Sequence, residues 1–439
     1  MTKLHQSLQQ QYANKKILIL GFGREGQSSY EVLRECFPDK ELFVGDQEEI
    51  DLSEFGDNKV FLEKNYLAHL DQYDVIFKTP GISQHIPQLQ QFLQQGKTLT
   101  SELNEFLKVY RSQTVGITGT KGKSTTSSLI VHMLKTAHVD AILAGNIGLP
   151  VFKAIAQIHK NTTVVVEMSS YQLETISTSP HIAALLDIFP EHLNYHGSFT
   201  SYIEAKFMIN AFQTTSDMFI YNQNLQSLIE NNHISLHGQT KPFSSERAEF
   251  STSHLPKVIE KENVAPAVMV CKEFGLTQEA ITQALATFKP LPHRLENVGS
   301  HHGVTFIDDT LATIPEATIA ALDSLEKVDV LILGGYDRGI AFDPIVDAVV
   351  RKKIPHLLFF KPSGEKMVDI LEHKYPANQR PPYEFVDTME EAVRKSYAFL
   401  PQGGMVVLSP SSPSHGQFKD YEDKAAQFVE WIKKLEPSQ

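Results

Sequence analysis

The sequence predicts an α/β protein of three domains: a Rossmann-like N-terminal domain, a P-loop central domain and a Rossmann-like C-terminal domain. Three observations lead there. Short apolar, β-branched runs alternate with helical patterns along all 439 residues, as parallel sheets covered by helices require. Two of those runs lead straight into Gly-rich turns, at Gly21–Gly26 and Gly119–Gly122, and from there into helices. Two breaks in the pattern, Gly96-Lys97 and the Pro-rich stretch Phe288-Lys289-Pro290-Leu291-Pro292, divide the chain into 1–97, 98–289 and 290–439.

Composition narrows the class. Hydrophobic residues make up 41%, enough for a core in each domain. No apolar run reaches the ~18 residues of a membrane span, and the N-terminal MTKLHQSLQQQYANKK lacks the apolar centre of a signal peptide. No membrane insertion is expected. Cys36 and Cys271 lie far apart in sequence, which suggests reduced thiols and a cytoplasmic location. With 40 basic against 52 acidic residues, non-specific nucleic-acid binding is disfavoured, while local phosphate pockets stay compatible.

In the first domain, Ile17–Leu20 reads as a buried parallel strand. It runs into Gly21-Phe22-Gly23-Arg24-Glu25-Gly26, a complete G-x-G-x-x-G that opens a helix. A second strand ends in Asp46, about twenty residues on, as a dinucleotide fingerprint requires. Alone, the motif is equally a tight turn with no nucleotide, or a site for a nucleotide-diphosphate substrate. Asp74–Lys78 is a further strand, with Thr79-Pro80-Gly81-Ile82 as its exit turn.

The central domain carries the strongest chemistry. Thr114–Ser128 reads TVGITGTKGKSTTSS, a strand, a Gly-rich loop and a helix start, which places backbone N–H groups around an anion. Gly119 and Gly122 admit phosphate oxygens closely. Lys123 supplies a point charge for β/γ-phosphates and is expected outside the packing, and Ser124 offers a hydroxyl to Mg²⁺. The strict G-x-x-x-x-G-K-[ST] pattern is missed by one position, because Ile117 stands where the first Gly belongs. A bare Gly-Lys-Ser is also compatible with a plain helix cap; the strand–loop–helix setting favours phosphate.

Past Gly145-Asn146-Ile147-Gly148, the strand Thr163–Glu167 delivers a carboxylate at its end, followed by Met168-Ser169-Ser170-Tyr171-Gln172. Such a carboxylate suits Mg²⁺ beside a phosphate loop. A third strand, Ile182–Ile188, leads to Phe189-Pro190-Glu191-His192-Leu193-Asn194-Tyr195-His196-Gly197. His192 suits metal or substrate, although a lone His is more often a hydrogen-bonded loop residue. Lys206 lies in a helical stretch, where pattern alone makes it exposed. In the third domain, strands at Thr305–Ile307, Leu331–Leu333 and Val406–Leu408 each end in polar or Gly-rich turns, so its loops gather at strand ends.

Together, the runs GFGREG, TPGI, TGTKGKST, GNIG, EMSSYQ, PEHLNYHG, EAK, LPHR, DDT, GGYDRG and LSPSSPS resemble the Mur ligases, the ATP-dependent amino-acid ligases of peptidoglycan precursor synthesis. The resemblance covers all three domains. The short first domain, the SSYQ and GNIG forms and the SP-rich loop fit the glutamate-adding branch. That branch implies ATP, UDP-N-acetylmuramoyl-L-alanine and glutamate as substrates, D-glutamate being the usual hand, and a monomer as the working unit.

The resemblance also implies roles. Gly119, Thr120, Lys121, Gly122, Lys123, Ser124 and Thr125 would hold ATP phosphates, with Asn263, Arg294 and Asp309 as nucleotide contacts. Two Mg²⁺ sites would draw on Ser124, Glu167, His192 and Lys206, the last as a carbamate. Gly21, Gly23, Gly26, Gly81, Asn146, Ser169 and Gln172 would face the nucleotide-sugar substrate. Thr313, Arg338, Ser414 and Tyr421 would hold glutamate.

Two departures bear on that last pocket. Leu311 stands where a lysine is expected, and Arg338 replaces another. L-glutamate is therefore the alternative acceptor, and a branch that adds it shares the DRG turn. Remoter alternatives are a folylpolyglutamate-synthase-like ligase, which should lack the GFGREG domain, and a dinucleotide-dependent oxidoreductase, which leaves GTKGKST, Glu167 and His192 unexplained.

Overall fold

The computed structural model describes residues 2–47, 50, 59–244, 257–289, 292–337, 339–400, 402–414 and 416–435. The chain divides into two compact units, one of residues 1–253 and 259–288, the other of residues 254–258 and 289–439. The first holds two parallel sheets and the second holds one mixed sheet.

The first sheet contains β1 (Ile17–Leu20), β2 (Leu42–Gly45), β3 (Val60–Leu62), β4 (Val75–Lys78) and β5 (Thr98–Thr100) in the order β3-β2-β1-β4-β5. Ile17 pairs with Leu42 on one side and Val75 on the other. Every residue of β1 and β4 is buried, which is why β1 reads as an unbroken apolar run and β4 as one closed by Lys78. The order reverses between β1 and β4, so the turns after them, at Gly21 and Thr79, flank a crevice at the carboxyl edge. Because β5 pairs with β4, the first sheet extends to Thr100, three residues beyond the break expected at Gly96-Lys97.

The second sheet holds β6 (Thr114–Thr118), β7 (Ala141–Gly145), β8 (Thr163–Glu167), β9 (Ile182–Leu185), β10 (Met218–Asn222) and β11 (Gln239–Phe243) in the order β11-β10-β9-β6-β8-β7. Strand β6 lies between β8 and β9, so the loops after these three strands leave side by side. The third strand stops at Leu185, short of Ile188, where the chain turns to pass the phosphate loop: Thr120 N–H donates to Asp187 O at 2.8 Å.

The two sheets share one apolar cluster, running from Leu4, Ile17 and Phe77 through Phe106 to Phe152 and Phe219. Glu102, only 2% exposed, joins them: its Oε1 accepts from Phe152 N–H at 2.6 Å and from Ser28 Oγ at 3.3 Å. Burial pushes that carboxyl well above the usual range.

In the second unit, β12 (Glu296–His301) pairs antiparallel with β13 (Val304–Asp308). The sheet continues through β14 (Val330–Gly334), β15 (His356–Phe360), β16 (Tyr383–Val386) and β17 (Gly404–Leu408) in the order β12-β13-β17-β14-β15-β16. Separate apolar clusters around Phe306 and Leu331 cover its two faces, giving the expected doubly wound domain. Both cysteines are buried free thiols. Among the described residues, no helix is long and apolar enough to cross a membrane.

Candidate active site

The phosphate loop takes its shape from its glycines. Gly119 and Gly122 have φ of 151° and 84°, backbone that L side chains rarely adopt. A Cβ on Gly122 would meet Asn263 Oδ1 at 2.5 Å, and that oxygen also accepts from Thr126 Oγ1 at 3.0 Å. Asn263, 2% exposed, therefore packs on the loop. Gly122 precedes the helix Lys123–Thr136, whose first N–H groups face the loop.

Lys123 is not outside the packing. It is half-buried, and its Nζ donates to Gly119 O and Thr120 O, both at 2.9 Å, folding the side chain back over the loop. Ser124 is buried at the helix start, with Lys121 and Thr125 half-buried beside it. Thr120 is fixed through Oγ1 to Tyr202 OH at 2.9 Å and to Phe189 N–H at 2.9 Å. It ties the loop to the segment that leads into His192.

Glu167 ends β8 and is 1% exposed. Its Oε1 accepts from Asn146 Nδ2 at 2.6 Å, while Oε2 is buried with no hydrogen-bond partner among the described residues. A buried carboxylate oxygen left open in this way fits a cation ligand. Asn146 thereby fixes the Glu167 carboxylate. His192 is exposed with φ of 57°, caps the one-turn helix Leu193–His196, and has its ring centroid 4.9 Å from that of Tyr171.

The pattern-based exposure of Lys206 is overturned. The helix Phe199–Ala211 buries Tyr202, Ile203, Ala205, Phe207 and Ile209, and Lys206 with them, at 2% exposure. Its Nζ lies 3.4 Å from Thr118 Oγ1, on β6, and 5.0 Å from the Tyr202 ring centroid. Burial first, then the Lys123 charge, drive its pKa well below the ordinary lysine value, with Glu191 and Glu167 opposing. A neutral buried amine is the form that can take up CO₂.

Beside the first Gly-rich turn is a cleft of about 570 Å³. Gly21, Gly23, Gly81, Asn146 and the strand-end Asp46 line it, together with Arg24, Glu25 and Tyr66, which sequence reasoning had not singled out. Gly26 lies behind the turn: a Cβ there would meet Gly21 O at 2.1 Å. Arg24 crosses to the second sheet, donating to Gly145 O at 2.8 Å and Gly148 O at 3.2 Å. Asp46 Oδ2 accepts from Phe22 N–H at 2.6 Å.

The Thr79–Ile82 turn is held from below and above. Buried Lys78 donates to Ile82 O at 2.7 Å, and Tyr195 OH donates to Pro80 O at 3.0 Å. Ser169 and Gln172 form a reciprocal cap of the short helix Ser170–Leu173, and Gln172 Nε2 reaches Glu25 Oε1 at 2.6 Å. A second cleft, about 560 Å³, opens at the amino ends of the central strands near Thr114 and Thr163, on the edge away from these loops.

In the second unit, exposed Arg294 is flanked by His293 and Leu295, both in left-handed backbone at φ of 63° and 47°. His293 Nδ1 pairs with Asp308 Oδ2 at 2.7 Å, and Leu295 N–H donates to Asp309 Oδ1 at 3.2 Å. Asp309 also accepts from Ser409 Oγ at 2.6 Å, and burial pushes its carboxyl up to about 7. His293, Glu296 and Asp308 bring ligand atoms within 4.8 Å of one another, but they already bond to each other there.

Ser414 is buried with no hydrogen-bond partner for Oγ among the described residues. Tyr421 begins the helix Tyr421–Lys434, its ring 5.9 Å from that of His293. Thr313 is half-buried just before the helix Pro315–Ser324. Arg338 lies outside the described residues.

Comparisons with known proteins follow the same division. The Mur ligase middle domain matches residues 117–264, and the Mur ligase glutamate ligase domain matches residues 293–412. The UDP-N-acetylmuramoylalanine–D-glutamate ligase of Caldicellulosiruptor bescii is 30% identical over 96% of this chain and 98% of its own. Its namesake in Acetivibrio thermocellus is 29% identical over 99% of both. Among solved structures, the MurF ligase of Thermotoga maritima in complex with ADP has a TM-score of 0.57 at 15% identity, covering 99% of this chain and 100% of its own. The UDP-N-acetylmuramate–alanine ligase of the same organism has a TM-score of 0.56 at 16% identity, over 96% of this chain and 100% of its own. With the phosphate loop, the open Glu167 oxygen and the buried Lys206 on one unit, and with full-length relatives at this identity, the chain belongs to the Mur ligase family.

Proposed function

We propose that this protein is an ATP-dependent ligase that adds D-glutamate to UDP-N-acetylmuramoyl-L-alanine in peptidoglycan precursor synthesis. The observation that carries the reading is identity of 30% across nearly the whole chain to ligases of that name. An oxidoreductase leaves the phosphate loop and the Glu167–Asn146 pair without a task.

An alanine carboxylate is a poor electrophile. ATP converts it to an acyl phosphate, the glutamate amine attacks, and the tetrahedral intermediate collapses to amide and phosphate. The N–H groups of the Gly119–Lys123 loop and the Lys123 ammonium gather the ATP phosphates. Ser124, Glu167 through its open Oε2, His192 and carbamoylated Lys206 would hold Mg²⁺ at two sites, and the ions supply neutralisation of the transferring phosphoryl group. Asn146 fixes the Glu167 carboxylate. Arg24 and Tyr195 keep the walls of the nucleotide-sugar cleft in register with the central sheet.

In the second unit, Arg294 and Asp309 serve the nucleotide, and Thr313, Arg338, Ser414 and Tyr421 serve glutamate. Leu311, in place of a lysine, leaves the hand of glutamate open, and the DRG turn, shared with a branch that adds L-glutamate, supports a second reading in which L-glutamate is the acceptor. The working form is a cytoplasmic monomer. Omission experiments test the reading. ADP release must require UDP-N-acetylmuramoyl-L-alanine and glutamate together; release without the nucleotide sugar, or with a folate acceptor in its place, refutes it.

A further inference from the structure

The nucleotide-sugar cleft contains a carboxyl group that the chemistry above does not use. Glu25 is the second residue of the helix Arg24–Cys36, in the first turn, where the helix N-terminus attracts negative charge. A diphosphate entering beside the Gly-rich turn is drawn to that same N-terminus, so two anions compete for one field.

Glu25 is held in place rather than free to swing away. Its Oε1 accepts from Gln172 Nε2 at 2.6 Å, and Gln172 Oε1 is taken by Ser169 N–H at 2.8 Å, so the amide cannot turn its oxygen toward Glu25. Oε2 of Glu25 has no partner among the described residues. The charged groups facing it are Arg24, Lys78, Glu102 and, across the cleft, Asp46. Neither cation forms an ion pair with it. Arg24 is committed to Gly145 O and Gly148 O, and Lys78 to Thr79 O and Ile82 O. Burial raises the Glu25 carboxyl from its ordinary value, against smaller lowering by Gln172 and the two cations.

We propose that Glu25 reads the substrate's diphosphate as a neutral acid, taking up one proton from solvent when the nucleotide sugar binds and donating Oε2–H to a diphosphate oxygen. This rests on the proposed function, which puts a sugar-linked diphosphate in this cleft. A diphosphate esterified at both ends keeps its charges through neutral pH, so the ligand itself contributes no proton step. Above the pKa of Glu25 in the free enzyme, affinity then falls tenfold per pH unit. A protein whose cleft simply tolerated the carboxylate would bind with no pH slope.

The test is isothermal titration of the full-length wild type and Glu25→Gln with UDP-N-acetylmuramoyl-L-alanine. It is run across neutral to mildly alkaline pH in two buffers of different ionisation enthalpy. The amide keeps the shape and the hydrogen-bond donor but carries no proton step. Expected are uptake approaching one proton and a rising Kd for the wild type, against no uptake and a flat Kd for Glu25→Gln. Uptake that persists in Glu25→Gln assigns the proton to Lys78, which burial lowers to about 8, and overturns the proposal. So does a wild type that binds without uptake, or a tenfold loss of affinity in Glu25→Gln at every pH, the mark of an ionised acceptor. A wild type that does not bind the nucleotide sugar at any pH overturns the proposed function as well; binding without proton uptake overturns only the role of Glu25.

Discussion

Lys206→Ala should abolish most of the activity without unfolding the protein, and the size of the loss follows from where the amine sits. The side chain is 2% exposed, between Thr118 on β6 and the Tyr202 ring, and after burial it is the Lys123 charge that most disfavours an ammonium there. An ammonium there would oppose both Lys123 and a metal ion at Glu167. A carbamate turns that repulsion into attraction. One unit charge about 4 Å from its partner, at an effective dielectric of about 20, is worth ~4 kcal/mol. Lost from the transition state, that is about a thousandfold in rate. Lys206→Met keeps most of the buried volume and separates charge from packing, since removing buried methylenes alone costs stability of ~1–3 kcal/mol. The assay is initial-rate ADP release, with thermal melting as the fold control. Lys206→Met should melt near the wild type and Lys206→Ala somewhat below it, both should lose about a thousandfold in kcat, and Lys206→Ala should regain part of it with added formate or acetate. Activity within tenfold of wild type in a folded Lys206→Ala protein would refute the reasoning.

Three further outcomes are expected. Lys123→Ala should abolish ATP turnover and, because Nζ bridges Gly119 O and Thr120 O, also loosen the loop by ~1 kcal/mol, read as a slightly lower Tm. Gly122→Ala should lose ATP binding, measured by titration, because its left-handed backbone disfavours a side chain by ~1–2 kcal/mol and the new Cβ would strike Asn263 Oδ1. Asp309→Asn should change the pH dependence of stability. The folded pKa of Asp309 is raised to about 7, so its contribution is full below the unfolded carboxyl pKa and is lost as pH rises through about 7. The variant should therefore gain on the wild type by up to ~4 kcal/mol between about pH 4, where both states are protonated, and about pH 7, with no further gain above that; parallel Tm curves would contradict the assignment.

The fold and the phosphate loop were legible because their signals are local. β1, β4 and β6 are buried along their whole length, so they appear as short runs rich in Val, Ile, Leu and Phe, and a left-handed loop beside phosphate needs glycine. Lys206 was misread from pattern because a single lysine in a helix is ordinarily solvated. The available signal was its neighbours on that helix, Tyr202, Ile203, Ala205, Phe207 and Ile209, whose apolar side chains leave Lys206 on the buried side while Glu204 is exposed. Arg24 and Glu25 stood inside the quoted Gly-rich motif, but their roles depend on Gly145 and Gln172, more than a hundred residues away, and no local rule pairs them. The same holds for Glu102, whose burial is made by Ser28 and Phe152. The extension of the first sheet past Gly96-Lys97 has a related cause: β5 is three residues long and is defined by its pairing with β4, not by its own composition.

The central claim is glutamate ligation onto a muramoyl-alanine nucleotide, and parallel turnover with the two enantiomers tests it most directly. Wild-type protein, ATP, Mg²⁺ and UDP-N-acetylmuramoyl-L-alanine are combined with D-glutamate or L-glutamate, and the product is weighed by mass spectrometry as ADP release is followed. The account predicts one glutamyl residue added per ADP, with D-glutamate the faster acceptor. Faster turnover with L-glutamate would move the protein to the second reading, which the loss of a lysine at Leu311 leaves open; no glutamyl product with either enantiomer would contradict the account itself.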